Sequence, residues 1–190
     1  MKILLLDNYD SFTFNLLHLL EQFDGVSVDV FRNDEVDVTV GNRYDRFVLS
    51  PGPGVPDEAG ILKSLISTYF SEKKILGVCL GMQAIAEVRG GSLMNMDEVQ
   101  HGVARKTIIQ QPSDALFYNI PSGFQTGRYH SWCVQSNELP AEFKVTATDE
   151  NGVIMAFSHE NQLIRGVQFH PESILTEFGK QLISNWLTLC

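Results

Sequence analysis

The stretch ILGVCLGMQAIAE, residues 75–87, decides the fold, because it has the pattern of a buried strand that runs into a helix. Ile75 to Val78 is continuously apolar, as expected of a strand that is covered on both faces. The run from Gly81 to Glu87 has helical character and stops at Gly90-Gly91, where glycine favours a helix end. The segment predicts a strand, a tight turn at Cys79 and a helix.

The same alternation of strand and helix patterns is found on the N-terminal side of this stretch. Ile3 to Leu6 is an apolar run, and a helical pattern from Ser11 to Phe23 follows it. Further on, the chain shows a strand-like alternation, a short apolar run and a helical spacing in turn: Val26 to Phe31, Phe47 to Leu49 and Ile61 to Phe70. This order predicts an α/β fold with a mostly parallel, open sheet covered by helices.

The C-terminal half is richer in β-type residues. Strand patterns cover Thr107 to Ile109, Lys144 to Thr148, Val153 to Ser158 and Leu163 to Phe169, and turn residues separate the last three. We expect them to add antiparallel β-hairpins to the sheet. The segment from Thr176 to Leu187 predicts a closing amphipathic helix with Thr176 as its N-cap.

Composition limits the possible classes of protein. The 190 residues, with a net charge of -9 and 44% hydrophobic residues, suit one domain over residues 1–190. An acidic chain without a Lys/Arg run is not expected to bind nucleic acid or a membrane. The start, from Met1 to Asp7, resembles neither a signal peptide nor a membrane span, so we expect a cytoplasmic protein.

Three cysteines without a C-x-x-C spacing indicate neither a disulfide framework nor a zinc site.

The pattern Gly77-Val78-Cys79-Leu80-Gly81 predicts a nucleophile at the junction of strand and helix. Small flanking residues permit the sharp turn that exposes the central side chain, and the N-terminus of the following helix favours a thiolate. The alternative is a buried, inert cysteine, which is the usual state of a free thiol. The glycine on each side favours the nucleophile.

His170 is the histidine best placed to act as its base. It follows the last predicted strand in Gln168-Phe169-His170-Pro171-Glu172. Pro171 keeps this segment extended, and residues i and i+2 of an extended chain point the same way, so Glu172 can reach the imidazole. Such a pair can serve as a base with its orienting carboxylate. A strand-end histidine that merely pairs with a local Glu is the alternative.

The other four histidines carry weaker signals. His18 falls in the first helix pattern as a packing or surface residue, and His159 is expected in a turn beside Glu160. His101 and His130 are expected in irregular stretches, as possible contact residues.

An acyl-transfer site also needs N–H groups directed at the oxyanion. Leu80 can supply one because it follows the predicted nucleophile, and the loop Ser50-Pro51-Gly52-Pro53-Gly54 can supply another. An ordinary Pro/Gly turn is the alternative for this loop. It is not a phosphate-binding loop, since no Gly-Lys-Ser/Thr follows it.

Taken together, these motifs resemble the class I (triad) glutamine amidotransferases. The matching stretches are Gly77 to Gln83, Ser50 to Gly54 and His170 to Ser173, in the family's order. Asp7 to Thr13 and Arg128 to Ser131 look like the glutaminase components of anthranilate synthase and aminodeoxychorismate synthase. The resemblance implies a flavodoxin-like α/β fold.

The resemblance also implies roles for individual residues. Cys79 would be the nucleophile, His170 the proton carrier and Glu172 its orienting group. The oxyanion would be bound by the Leu80 N–H and the loop Gly52-Pro53-Gly54. The amino-acid end of glutamine would be held by Gln83 and by the main chain of Ser131 and Trp132. No metal or organic cofactor is implied, and ammonia would pass to a chorismate-using synthase chain, component I, in a hetero-oligomer.

Three alternatives stay open. The same reaction could serve para-aminobenzoate synthesis instead of anthranilate synthesis. A free-standing cysteine peptidase or γ-glutamyl hydrolase could use the same turn, and a non-catalytic binding module could keep the fold. Two positions depart from the family pattern: Val103, where related chains often have Lys, and Trp132, where they usually have Leu.

Overall fold

The computed structural model describes residues 1–161 and 163–190. Its strands are β1 (Lys2–Asp7), β2 (Ser27–Arg32), β3 (Arg46–Leu49), β4 (Lys74–Val78), β5 (Leu93–Ile109), β6 (Gly123–Val134), β7 (Phe143–Thr148), β8 (Ile154–His159) and β9 (Ile164–Val167). Its α-helices are α1 (Thr13–Leu20), α2 (Leu62–Tyr69), α3 (Leu80–Val88) and α4 (Gly179–Thr188). The described strands form one mixed sheet in the order β2-β1-β3-β4-β9-β8-β7-β5-β6.

The first five strands in this order run parallel. Strand β1 divides two hydrophobic layers, since Leu4 and Leu6 pack on the face that carries α2 and α3, whereas Ile3 and Leu5 pack on the face with Trp186 of α4. When both faces of a parallel sheet are covered, each strand is a continuous apolar run in the sequence. This explains the pattern of β1, β3 and β4. The predicted α/β fold is confirmed, with a parallel first part of the sheet and antiparallel strands added later in the chain.

Strand β9 joins the two halves of the sheet. It pairs with β4 in parallel on one side and with β8 antiparallel on the other. Because parallel strands end at the same edge, the segments that follow β1, β3, β4 and β9 meet there.

The sequence analysis underestimated the β content of the long hairpin β5–β6. Strand β5 has 17 residues and not only Thr107 to Ile109, and β6 was not predicted. His101 and His130 therefore lie in strands and not in irregular stretches. Most of β5 is solvent-exposed and interrupted by bulges, so its sequence lacks the apolar alternation that identifies a half-buried strand.

Two further local expectations were wrong. Helix α4 begins at Gly179, and its N-cap is Phe178 in a left-handed conformation. The Thr176 hydroxyl instead donates to the His170 carbonyl at 2.6 Å and accepts from the Gly127 N–H at 2.9 Å. His159 is the last residue of β8 and is buried, so it does not lie in a turn. Within the described residues, no helix has the length and apolar character to cross a bilayer.

Candidate active site

Cys79 lies on a strained turn between β4 and α3. Its φ of 51° and ψ of -104° are unusual for a residue with a side chain. The neighbouring glycines make the turn possible: a Cβ on Gly77 would lie 2.5 Å from the Gly81 carbonyl carbon, and a Cβ on Gly81 would lie 2.5 Å from the Leu49 carbonyl oxygen. The Gly-x-Cys-x-Gly pattern is therefore a steric requirement of this turn.

The turn is attached directly to the end of β9. The Cys79 N–H donates to the Val167 carbonyl at 2.8 Å. The next residue, Gln168, donates from Nε2 to Cys79 Sγ at 3.4 Å. These contacts bring the thiol beside the segment that carries His170.

His170 and Glu172 form a buried pair. His170 Nδ1 lies 2.7 Å from Glu172 Oε1, and the two side chains are 1% and 0% exposed. The rings of Tyr129 and Phe12 pack against the imidazole, with centroids at 4.7 and 5.4 Å. The structure therefore brings together the histidine and the carboxylate that the sequence analysis paired.

The charge state of His170 depends on both of its neighbours. Burial lowers its pKa, but the Cys79 sulfur and the Glu172 carboxylate more than offset this and raise the pKa to about 10. The Cys79 sulfur is the larger of the two raising influences, and the buried His170 Nε2 has no other hydrogen-bond partner among the described residues. The arrangement stabilises the imidazolium form of His170 beside the Cys79 sulfur.

The loop from Ser50 to Gly54 packs tightly against the turn. A Cβ on Gly52 would lie 2.6 Å from the Asn8 carbonyl oxygen and 2.8 Å from Leu80 Cδ2. Asn8 anchors the loop, since its side chain donates to the Ser50 carbonyl and its N–H donates to Ser50 Oγ. Leu80 is the first residue of α3, so its N–H has no acceptor within the helix.

A cleft of about 140 Å³ opens at this place, between the loop, the turn and β6. Its lining residues are Gly52, Pro53, Gly54, Cys79, Gln83, Tyr129, His130, Ser131 and Trp132. Seven of the ten predicted site residues are in this set. The other three lie beside it, since Leu80 follows Cys79 and His170 packs with Glu172 behind Tyr129.

Gln83 connects the turn to β6. Its Nε2 donates to the Trp132 carbonyl at 2.9 Å and to Gln168 Oε1 at 3.1 Å. His130 Nδ1 lies 3.0 Å from the same Trp132 carbonyl. Burial lowers the pKa of His130 to about 4, so its imidazole is neutral at pH 7 and donates from Nδ1.

Sequence reasoning missed Gln168 and Phe12 as contacts of the site. It named His130 as a possible contact residue and noted Tyr129 only within the stretch Arg128 to Ser131. The spacing of Gln168, His170 and Glu172 gave little signal, because residues 168, 169, 171 and 172 lie in bends or turns and not in an extended strand. Nothing in the local sequence shows that Phe12 packs on His170, because β1 and β9 bring them together.

The remaining histidines lie apart from the cleft or at its margin. His18 is a surface residue of α1 with a 72% exposed side chain. His159 Nε2 lies 3.3 Å from Glu142, and its ring packs on Phe70. His101 packs edge-on against Tyr129.

The other two cysteines have environments that disfavour a thiolate. Cys133 and Cys190 are both free and buried. Burial raises the pKa of Cys133, and it raises the pKa of Cys190 to about 11. Among the residues the structure describes, no three His, Cys, Asp or Glu side chains form a group that could hold a metal ion.

Comparisons with known proteins place the chain in a family. The family described as glutamine amidotransferase class-I matches residues 4–190. The chain is 42% identical to an anthranilate synthase component 2 of Pyropia yezoensis, over 97% of this chain and 98% of that protein. It is 41% identical to the aminodeoxychorismate/anthranilate synthase component 2 of Bacillus subtilis, over 97% and 95%.

A solved structure shows the same fold. The crystal structure of a glutamine amidotransferase from Thermotoga maritima has a TM-score of 0.77, with 18% sequence identity, over 100% of this chain and 81% of that one. The chain belongs to the class I glutamine amidotransferase family and is a glutamine amidotransferase. The resemblance found in the sequence is confirmed.

Proposed function

We propose that this chain is the glutaminase subunit that hydrolyses L-glutamine to glutamate and passes the ammonia to a chorismate-using synthase chain, which makes anthranilate. The observation that carries this proposal is the buried His170–Glu172 pair, at 2.7 Å, beside a cysteine on a strained turn. The names of relatives with about 40% identity over nearly their whole length support the choice of pathway.

Acylation begins at Cys79. The thiolate attacks the side-chain carboxamide carbon of glutamine, and the carbonyl oxygen becomes an oxyanion that accepts from the Leu80 N–H and from an N–H of the Gly52–Gly54 loop. The His170 imidazolium then gives a proton to the departing nitrogen. Ammonia leaves, and a γ-glutamyl thioester remains on the sulfur.

Deacylation uses the same residues in reverse roles. Neutral His170 takes a proton from water as the water oxygen attacks the thioester carbon. The carbon–sulfur bond breaks, glutamate leaves, and the thiolate and imidazolium are restored. Glu172 orients the imidazole through Nδ1 and stabilises its positive charge in both steps.

The cleft also has groups for the amino-acid end of the substrate. Gln83, Ser131 and Trp132 line it together with Cys79. We assign Gln83 and the main chain of Ser131 and Trp132 to the α-amino and α-carboxylate groups of glutamine. Hydrolysis of glutamine at this site uses no metal or organic cofactor. The hetero-oligomer of this chain with the synthase chain acts in the cytoplasm.

One observation favours a second candidate function. The Bacillus subtilis relative is named for both aminodeoxychorismate and anthranilate synthase. The same glutaminase could therefore serve para-aminobenzoate synthesis, because the aromatic product is determined by the synthase chain.

The test reconstitutes the chain with an anthranilate synthase component I and, in parallel, with its aminodeoxychorismate counterpart. We expect glutamine-dependent anthranilate formation, and we expect Cys79→Ser to abolish it while ammonia-dependent formation is spared. Glutamine use by the Cys79→Ser chain would refute the proposed nucleophile. Glutamine-dependent product with only the aminodeoxychorismate partner would favour the second candidate.

A further inference from the structure

Gln168 has contacts that neither the triad nor the glutamine-binding residues explain. It follows β9 and is completely buried, and its N–H donates to the Met155 carbonyl at 2.9 Å, which extends the pairing with β8. Both ends of its side-chain amide are engaged. Nε2 lies 3.4 Å from Cys79 Sγ, and Oε1 lies 3.1 Å from Gln83 Nε2.

The direction of this chain of hydrogen bonds is determined by a main-chain carbonyl. The Trp132 carbonyl can only accept, so the nitrogen of the Gln83 amide must face it, at 2.9 Å. The same nitrogen then donates to Gln168, whose oxygen must face Gln83. The nitrogen of Gln168 is thereby left pointing at the Cys79 sulfur as a donor.

We propose that Gln168 is a positioning residue that donates a hydrogen bond to the Cys79 thiolate and connects it, through Gln83, to the Trp132 carbonyl of the glutamine cleft. The inference rests on the proposed role of Cys79 as the nucleophile. A charged acceptor makes a stronger hydrogen bond than a neutral one, so the donor favours the thiolate over the thiol. It also holds the sulfur at one position on the strained turn.

Gln168 and His170 act on the sulfur from the same segment. They are two residues apart beyond the end of β9, and the Cys79 N–H is bonded to Val167, immediately before them. The imidazolium supplies a positive charge and the amide supplies a neutral donor. The thiolate therefore has two stabilising partners whose positions depend on one strand end.

The test measures sulfur reactivity directly, without glutamine or a partner chain. The alkylation rate of Cys79 by iodoacetamide is followed from pH 5 to pH 9 by peptide mass spectrometry. In Gln168→Met, which keeps the size and loses both hydrogen bonds, we expect the rate near pH 6 to fall about tenfold. The pH midpoint of alkylation should rise by about one unit, which corresponds to the same factor.

Two further variants separate positioning from stability. Gln168→Glu keeps an acceptor for Gln83 but replaces the donor to the sulfur with a carboxylate oxygen. It should slow alkylation of Cys79 at least as much as Gln168→Met does. It is the deciding variant if Gln168→Met does not fold.

Asn185→Leu is the matched control. It removes a buried amide that donates to the Leu116 and Tyr118 carbonyls outside the cleft, and it should alkylate Cys79 at the wild-type rate.

The inference would be overturned if the folded Gln168 variants alkylated Cys79 at the wild-type rate. It would also be overturned if Asn185→Leu slowed the alkylation rate as much as they do. A wild-type chain that fails to hydrolyse glutamine with its synthase partner would count against the proposed function alone. The alkylation result would remain valid in that case, because it requires no turnover.

Discussion

Gly81 and Leu49 come so close that a Cβ on the glycine would lie 2.5 Å from the leucine carbonyl oxygen and 2.7 Å from its Cβ. This contact joins the first turn of α3 to the end of β3. It sets the position of Cys79 relative to the loop that begins at Ser50.

Gly81→Ala should therefore destabilise the protein, although alanine is the better helix former by about 1 kcal/mol. The added methyl must displace backbone, and we expect a net loss of about 1 to 3 kcal/mol in the free energy of unfolding. Urea unfolding measures this loss. A variant as stable as the wild type would show that the contact is not rigid.

Glu172→Gln should lower glutaminase turnover by about a hundredfold or more, because the imidazolium loses its partner charge. The raised pKa of His170 should fall at the same time, since Glu172 is one of its causes. Steady-state kinetics of the reconstituted complex provide the measurement. Glu177→Gln is the control: its carboxylate accepts from the Gln125 N–H outside the cleft, and turnover should be unchanged.

His130 should make the protein sensitive to acid. Burial lowers its pKa from 6.5 to about 4, so the unfolded chain binds this proton more readily than the folded one. The neutral histidine therefore contributes about 3 kcal/mol to the free energy of unfolding. This contribution is fully present above pH 6.5 and is lost as the pH falls toward 4.

The check is urea unfolding between pH 4 and pH 7. His130→Asn should show a shallower loss of stability over this range than the wild type. His18→Asn, at an exposed position, should match the wild-type slope. Equal slopes in all three proteins would contradict the assignment to His130.

The buried ion pair between Arg128 and Asp149 should matter more than exposed pairs. Their side chains are 2% and 8% exposed, and Nη1 lies 2.8 Å from Oδ2. Asp149→Asn leaves the guanidinium without its counter-charge and should cost about 3 to 5 kcal/mol. Glu35→Gln breaks an exposed pair with Arg32 and should change the free energy of unfolding by less than about 1 kcal/mol.

A glutamine-like chloroketone should label Cys79 before Cys133 or Cys190. All three thiols are buried, but only Cys79 lines the cleft beside His170, and burial raises the pKa of the other two. Mass spectrometry of the labelled peptides gives the order. Faster labelling of either other thiol would contradict the role of the turn.

The sequence predicted the parts of the molecule that depend on neighbouring residues. The strands β1, β3 and β4 could be recognised because burial on both faces produces continuous apolar runs. The pairing of His170 with Glu172 was predicted from an extended segment, but the structure forms it through a turn, in which the Ser173 N–H donates to the His170 carbonyl at 3.2 Å. The hairpin β5–β6 was underestimated because its exposed residues carry little periodicity.

The contacts that the sequence did not predict connect distant positions. Gln83 meets Gln168 across 85 residues, and Gln168 meets Cys79 across 89. Thr176 has the residue type of an N-cap, yet its hydroxyl bonds to the His170 carbonyl. For the two Gln168 contacts the sheet order decides the partner, whereas Thr176 bonds within the segment that follows β9.

The place of β9 in the sheet has a consequence for biosynthesis of the chain. The cysteine follows β4, but His170, Glu172 and Gln168 follow β9, a strand that is made about ninety residues later and must insert between β4 and β8. A nascent chain that has folded only its N-terminal strands carries the thiol without its base. The proposed triad therefore forms only once β9 has entered the sheet.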